Sequence, residues 1–316
     1  MLRKTFIWAA KLIISCVILL ILYQYIPFTK FSRLLGRVSR EQLLAACFAF
    51  LLGQIILTFR LKVLTDKHRL SLGITKLLDI NFTAQFYKLF IPGGTITSIL
   101  VRSYKLKQAS NKLDSVVSII LFDRLISTFG VFIGGAIFWS FHQEWLPKNI
   151  WGAFLAILIA MGGLYFCTAI ITGIFQFFIH LSVGGTISTK IHLWTNALIK
   201  FKELSITDAL IIFTLTLLSH LLGVLVFVLL ASSLNIPLNF ISMGWIRAAV
   251  MTSTMLPVTF AGLGVRDGSM VYLLGLYGVS GHEALAMSFL IFIVTVFIGA
   301  VIGGIWELLS MLKKDL

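Results

Sequence analysis

ISMGWIRAAVMTSTMLPVTFAGLGVRDGSMVYLLGL, residues 241–276, is apolar along most of its length yet broken at its middle. Leu256-Pro257 comes first, then Ala261-Gly262-Leu263-Gly264. Proline removes a helical N–H donor and glycine relaxes the backbone, so a helix is interrupted here. A second region, Ile74 to Val101, carries the same kind of break at Ile91-Pro92-Gly93-Gly94. At membrane depth, freed backbone polar groups survive only where protein or a wet cavity shields them. Both regions therefore read as re-entrant helical hairpins.

The rest of the chain supplies the membrane. Of its 316 residues 59% are hydrophobic and only 12% charged, and 27 are phenylalanine. Mean hydropathy is +1.00. A soluble domain of this length would need far more charge on its wetted surface. Six segments are long enough to cross a hydrocarbon core, which takes roughly 20 apolar residues: Phe6–Ile26, Leu43–Phe59, Val116–Trp139, Trp151–Phe178, Ala209–Leu230 and Ala284–Leu309. None alternates apolar with polar residues as a barrel strand would, so the spans are helices. Phe6–Ile26 follows Arg3 and Lys4 as a signal peptide would, but it lacks a small-residue cleavage site and reads as a retained helix. The net charge of +14 reads as membrane topology and lipid-headgroup contact, with no nucleic acid implied. Cys16, Cys47 and Cys167 lie in apolar runs and show neither a disulfide framework nor metal-ligand spacing. No cofactor or metal is expected.

Basic residues set the orientation. Arg3, Lys4 and Lys11 put the N-terminus in the cytoplasm, and Arg60, Lys62, Lys67, Arg69 and Lys76 mark the second connection as cytoplasmic. Arg102, Lys105, Lys107 and Lys112 follow on the same side if the first hairpin enters and leaves there. Lys190, Lys200, Lys202, Lys313 and Lys314 are inside again, while 141–150 and 231–240 read as outer loops. Lys30, Arg33, Arg37 and Arg40 fall on the outer side, where Phe28, Phe31, Leu35 and Val38 mark an amphipathic helix on the headgroups. The result is a single transmembrane domain over 1–316: all-α, polytopic, six full spans and two hairpins, with both termini cytoplasmic. Its halves, 1–140 and 150–312, have the same order of elements in opposite orientation, an inverted-topology repeat typical of secondary transporters. Val101-Arg102 after the first break and Val265-Arg266 after the second give this repeat a faint sequence echo.

Broken helices paired across such a repeat point to a binding site, and freed N–H groups at half-helix starts attract anions. Arg102 and Arg266 follow the two breaks, and guanidinium groups match phosphate oxygens in bidentate fashion. Arg102 also fits a plain interfacial anchor. Asp123 and Arg124 lie inside a span, and neighbouring helix positions do not face each other, so at least one reaches another element. They read as a structural clamp or as substrate contacts. Asp267 neutralises Arg266 or Arg102, or couples protons. Asn81, Gln85 and Lys88 share one helix face leading into the first break and are candidates to line a cavity. Glu307 reads as a boundary residue paired to Lys313 or Lys314 ahead of a functional acid, and His220 as a helix–helix hydrogen bond ahead of a proton relay.

At Phe90-Ile91-Pro92-Gly93-Gly94 through Val101-Arg102, at Phe122-Asp123-Arg124-Leu125, and at Leu256-Pro257 with Ala261-Gly262-Leu263-Gly264-Val265-Arg266-Asp267-Gly268, the chain resembles the lysylphosphatidylglycerol synthetase transmembrane-region family, also called the flippase-like domain family. The resemblance implies lipid handling in the bacterial cytoplasmic (inner) membrane. Two departures bear on headgroup choice: Asp267 stands where the family usually has Glu, and Thr97-Ser98 where it usually has a glycine-plus-acid pair. With the chain ending at Leu316, aminoacyl transfer by this polypeptide alone is not expected.

The leading expectation is a flippase for an anionic or aminoacylated phospholipid, or for a polyprenyl-phosphate carrier. Its headgroup would sit between the hairpins at Arg102, Arg266 and free N–H groups. With no nucleotide-binding motif, the drive would be a gradient, downstream consumption or equilibration. Alternatives are a membrane-embedded transferase acting on a lipid phosphate, which lacks paired carboxylates here, and a scaffold of envelope biosynthesis. A homodimer or an envelope-biosynthesis partner fits any of these.

Overall fold

A computed structural model describes residues 38–91, 95–110, 112–141, 205–255 and 262–312, with Leu34 and Gly36. Regular structure among them is helical: α1 (Arg40–Lys67), α2 (Ile74–Phe90), α3 (Thr95–Ser110), α4 (Leu113–Ser140), α5 (Ile206–Ser233), α6 (Phe240–Met255), α7 (Val265–Gly275), α8 (Gly281–Phe292) and α9 (Ile298–Leu312). A π turn, Ile293–Phe297, joins α8 to α9, so that Gly281–Leu312 is one 32-residue rod. Four of the eight rods are long and apolar enough to cross a membrane: α1, α4 (over Ser115–Ser140), α5 and α8–α9, with mean hydropathies of 2.0 to 2.8. The protein is a polytopic α-helical membrane protein.

Exposure along these rods follows helical spacing. Leu44, Phe48, Leu52, Ile55 and Phe59 form one exposed apolar stripe on α1, and Ile206, Leu210, Phe213 and Leu217 form another on α5. Phe297 of the π turn and Val301, Ile305 and Leu308 of α9 continue the pattern. Such stripes face lipid, and the opposite faces pack into the protein. One buried cluster joins α1 and α5 to α6, α7 and α8 through Phe50, Phe227, Met243, Met270 and Met287. The other joins the far end of α1 to α2, α3 and α4 through Leu64, Leu77, Leu106 and Ile119.

Four sequence-predicted spans are found: Leu43–Phe59 within α1, Val116–Trp139 within α4, Ala209–Leu230 within α5 and Ala284–Leu309 within α8–α9. Phe6–Ile26, Trp151–Phe178 and most of the Lys30–Arg40 stretch lie outside the described residues. Each broken region is a pair of helices, α2–α3 and α6–α7. Pro92, Gly93, Gly94 and Pro257 also lie outside the described residues. Gly262 and Gly264 have φ of +77° and +84°, a left-handed backbone open to glycine at little cost. Gly264 N–H donates to Asp267 Oδ2 at 2.9 Å, capping the start of α7.

One boundary needs correction. The sequence reading ends the second span at Phe59 and puts Arg60 in a cytoplasmic connection. The helix continues to Lys67, and Arg60 is 1% exposed. Its guanidinium is matched inside the protein, so its charge no longer demands water.

Three packings set the architecture. Helices α1 and α5 touch at Gly53–Leu222, at Arg60–Thr216 and at Lys67–Asp208. Partners descend on one helix as they climb on the other, so the two run antiparallel. α6 crosses α4 where Gly135 meets Ala248 and Gly244 meets Phe138. α9 presses on α2 through Gly299, Gly303 and Gly304. A Cβ on Gly303 would stand 2.0 Å from the Phe82 carbonyl oxygen, so backbone lies against backbone, as small residues permit between membrane helices.

Candidate functional site

Between α1, α2, α3, α4 and the π turn lies a partly open cavity of about 290 Å³. Its walls include Arg60, Lys88, Arg102, Arg124 and Asp123, four cations against one carboxylate. Asn81 and Gln85 also line it, as their shared helix face predicted, with Thr295 and Val296 closing it from the π turn. Single-turn π segments often mark functional sites, because the extra residue redirects the side chains beside it.

Asp123 organises one wall. Arg60 donates to its Oδ1 from Nη2 at 2.6 Å and from Nε at 3.1 Å. Arg102 donates to its Oδ2 from Nη1 at 2.9 Å. One carboxylate thus bridges two arginines from two helices, α1 and α3. Arg60 also donates to Thr216 Oγ1 at 3.1 Å and Ser127 Oγ at 2.6 Å. Arg102 donates from Nε to Asn81 Oδ1 at 2.8 Å, and Asn81 Nδ2 donates to Thr58 Oγ1 at 2.8 Å. Gln85 Nε2 donates to Gln54 Oε1 at 2.7 Å. The result is a fixed, hydrogen-bonded polar wall that crosses from the first hairpin to α5.

Lys88 and Arg124 differ. Both line the cavity, and neither has a hydrogen-bond or ion-pair partner among the described residues. Asp123 lies within electrostatic reach of Arg124 but bonds other arginines, so Lys88 and Arg124 are the cavity's cations left without a bonded partner among the described residues. Lys88 also lies within electrostatic reach of Arg124 and Arg266.

Arg266 and Asp267 are not among the cavity's lining residues. They are 6% and 3% exposed and pair with each other, Arg266 Nη2 to Asp267 Oδ1 at 2.9 Å. Arg266 Nε donates to Ser288 Oγ at 2.9 Å, and its guanidinium stands 5.3 Å from the Phe292 ring centroid. Of the roles weighed for Asp267, neutralising Arg266 is the one that this geometry displays. The arginine after each break is thus bonded to the span that follows it: Arg102 to Asp123 on α4, Arg266 to Ser288 on α8.

A family model, that of the lysylphosphatidylglycerol synthase TM region, matches residues 8–303. The chain belongs to this family. No curated protein matches it. In this lysylphosphatidylglycerol synthase TM region the two breaks, the Asp123-Arg124 pair and the arginines after the breaks all fall inside the matched stretch.

Sequence reasoning missed three features of this TM region. Arg60 stands at the end of an apolar run, where a boundary residue is the ordinary reading. Glu307 has partners far earlier in the chain: Lys105 Nζ bonds its carboxylate, and Tyr87 Oη donates to it at 3.2 Å, because α9 lies against α2 and α3. Lys313 and Lys314, the partners that spacing suggests, lie outside the described residues. Arg247 stands alone in the apolar run of α6, and an intramembrane charge is a signal in itself. Its neighbour is His220, 3.4 Å away, the interhelical partner that the sequence left unnamed. No group of three metal-ligating side chains occurs among the described residues.

Proposed function

We propose that this protein is a lipid flippase of the bacterial cytoplasmic membrane, moving an anionic or aminoacylated phospholipid, or a polyprenyl-phosphate carrier, between leaflets. The observation that carries this reading is the pair Lys88 and Arg124, which line a cavity among the spans with no bonded partner among the described residues. Unmatched charge in hydrocarbon is costly, so a site of this kind favours an anionic guest. A phosphodiester or phosphate, one of which every lipid named carries, supplies it. Lys88 offers a point charge and Arg124 a planar fork, while acyl or prenyl tails remain outside among the spans.

The architecture supports translocation. The starts of α1, α2, α3 and α4 recur at those of α5, α6, α7 and α8, displaced by 166 to 170 positions. α1 and α5 are both 28 residues long and antiparallel, as inverted repeats require. The repeats exchange partners: the last rod of the second packs on the hairpin of the first, and α4 of the first packs on the hairpin of the second. Rocking one repeat on the other would expose the site to each leaflet in turn. A transferase would need a free acid or base, and Asp123, the single carboxylate lining the cavity among the described residues, is held by two arginines.

The test is leaflet translocation in proteoliposomes. Fluorescent phosphatidylglycerol, its lysyl derivative and a short-chain polyprenyl phosphate are compared, for wild type and for Lys88→Gln/Arg124→Gln. A hydrogen bond to a charged group contributes roughly 1.5–3 kcal/mol, so without these two cations translocation of the true substrate falls at least about tenfold. Undiminished translocation in the double variant moves the headgroup elsewhere. No translocation of any lipid by folded wild type sinks the flippase reading.

A further inference from the structure

The 166-position displacement relates α1 to α5 and α2 to α6 without a gap. Applied to the cavity wall, it carries Gln54 to His220 and Asn81 to Arg247. These are the two residues found in contact on α5 and α6, Arg247 Nη1 to His220 Nδ1 at 3.4 Å. The second hairpin therefore owns a counterpart of the first hairpin's polar wall, with a guanidinium in place of the amide.

The chemistry of the pair fixes its charge. Arginine has no acceptor, so His220 must receive the hydrogen bond at Nδ1 and carry its proton at Nε2. Nε2 faces α4 at Gly130, where a Cβ would come within 2.4 Å. A neutral imidazole thus orients Arg247 without cancelling its charge. Gly223 completes the seat, because a Cβ there would lie 2.3 Å from Arg247 Nη2. No carboxylate pairs with Arg247 among the described residues, whereas Arg60, Arg102 and Arg266 each have one. The two walls are joined. Arg60 reaches Thr216, and His220 lies one turn further along α5.

We infer that Arg247, seated on Gly223 and oriented by His220, is a second station for an anionic, phosphate-bearing lipid headgroup in the opposite half of the chain. This rests on the flippase reading for its purpose but not for its detection. A headgroup leaving Lys88 and Arg124 would find there another cation without a paired carboxylate among the described residues. The stations divide one deep crossing into shorter ones.

The experiment counts bound headgroups before it measures transport. Dihexanoyl-phosphatidylglycerol is titrated onto the full chain in detergent and followed by native mass spectrometry, with dihexanoyl-phosphatidylcholine and inorganic phosphate in parallel. Wild type is expected to take two phosphatidylglycerols, Arg247→Gln one, Lys88→Gln/Arg124→Gln one, and Arg247→Lys two. Thermal unfolding reports whether each variant is folded. Should Arg247→Gln not fold, the wild-type count and Arg247→Lys still decide. One phosphatidylglycerol on wild type, or two on folded Arg247→Gln, overturns the second station. So does equal occupancy by phosphatidylcholine. Inorganic phosphate filling the site as tightly as the lipid overturns its assignment to a headgroup. Transport then separates the two readings. Two bound lipids without translocation keep the station and remove the flippase. Translocation undiminished in Arg247→Gln keeps the flippase and removes the station.

Discussion

Asp123 shows how charge is tolerated at depth here. Its carboxylate takes donors from Arg60 and Arg102, and its neighbour Arg124 faces the cavity without a partner among the described residues. Removing one partner of a buried ion pair leaves the other charge stranded, at a cost of about 3–5 kcal/mol. Asp123→Ala strands two arginines and should lower the thermal unfolding midpoint strongly. Arg124→Ala strands nothing and should leave that midpoint nearly unchanged while weakening headgroup binding. A double-mutant cycle between Arg60 and Asp123 isolates the clamp. A coupling energy near zero would show that the guanidinium is held by Thr216 and Ser127 instead. The sequence could place Asp123 and Arg124 at depth and show that they diverge. It could not say which was tied and which was free, because the tie comes from Arg60, 63 positions away.

At the scale of elements, the breaks were legible because proline and glycine act locally. Ile91-Pro92 and Leu256-Pro257 interrupt helices whatever surrounds them, and the separate helices α2 and α3, and α6 and α7, agree with that. Asn81, Gln85 and Lys88 were placed on one face by helical spacing alone, and all three line the cavity. The close approach of α9 to α2 was not legible. Gly299, Gly303 and Gly304 sit in an apolar span where they read as ordinary membrane glycines, and their partners lie far earlier in the chain. The same distance hid the partners of Glu307. The contact has a sharp test. In Gly303→Leu the side chain would strike the Phe82 carbonyl, whereas Gly134→Leu on α4 meets nothing within 4 Å. Overpacking typically costs about 1–3 kcal/mol, so Gly303→Leu should destabilise by about that much and impair translocation. Gly134→Leu should do neither. Equal behaviour of the two variants would mean that α9 and α2 do not meet.

For the whole molecule, the proposed rocking of one repeat on the other would part some surfaces and keep others together. α1 and α5 pack together, tied at Lys67–Asp208 and Arg60–Thr216, and would serve as the axis. Away from that axis α2 and α3 meet α9 through the Gly303–Phe82 packing and through one polar cluster. Lys105 bonds Glu307, approaches Asp79 at 3.6 Å and donates to Thr83 at 3.2 Å, while Tyr87 also holds Glu307. If the repeats rock, this cluster must open in one state and close in the other. A short bismaleimide between Lys105→Cys and Glu307→Cys, in a chain with Cys16, Cys47 and Cys167 replaced by alanine, holds it closed. The linked protein should keep binding headgroup but translocate far more slowly. The same double-cysteine chain left unlinked measures the loss due to the substitutions alone. Full translocation by the linked protein would place the moving surface elsewhere and leave α3 and α9 as one rigid unit. Rocking about α1 and α5 would then give way to a motion confined to the second hairpin, where Arg247 lies.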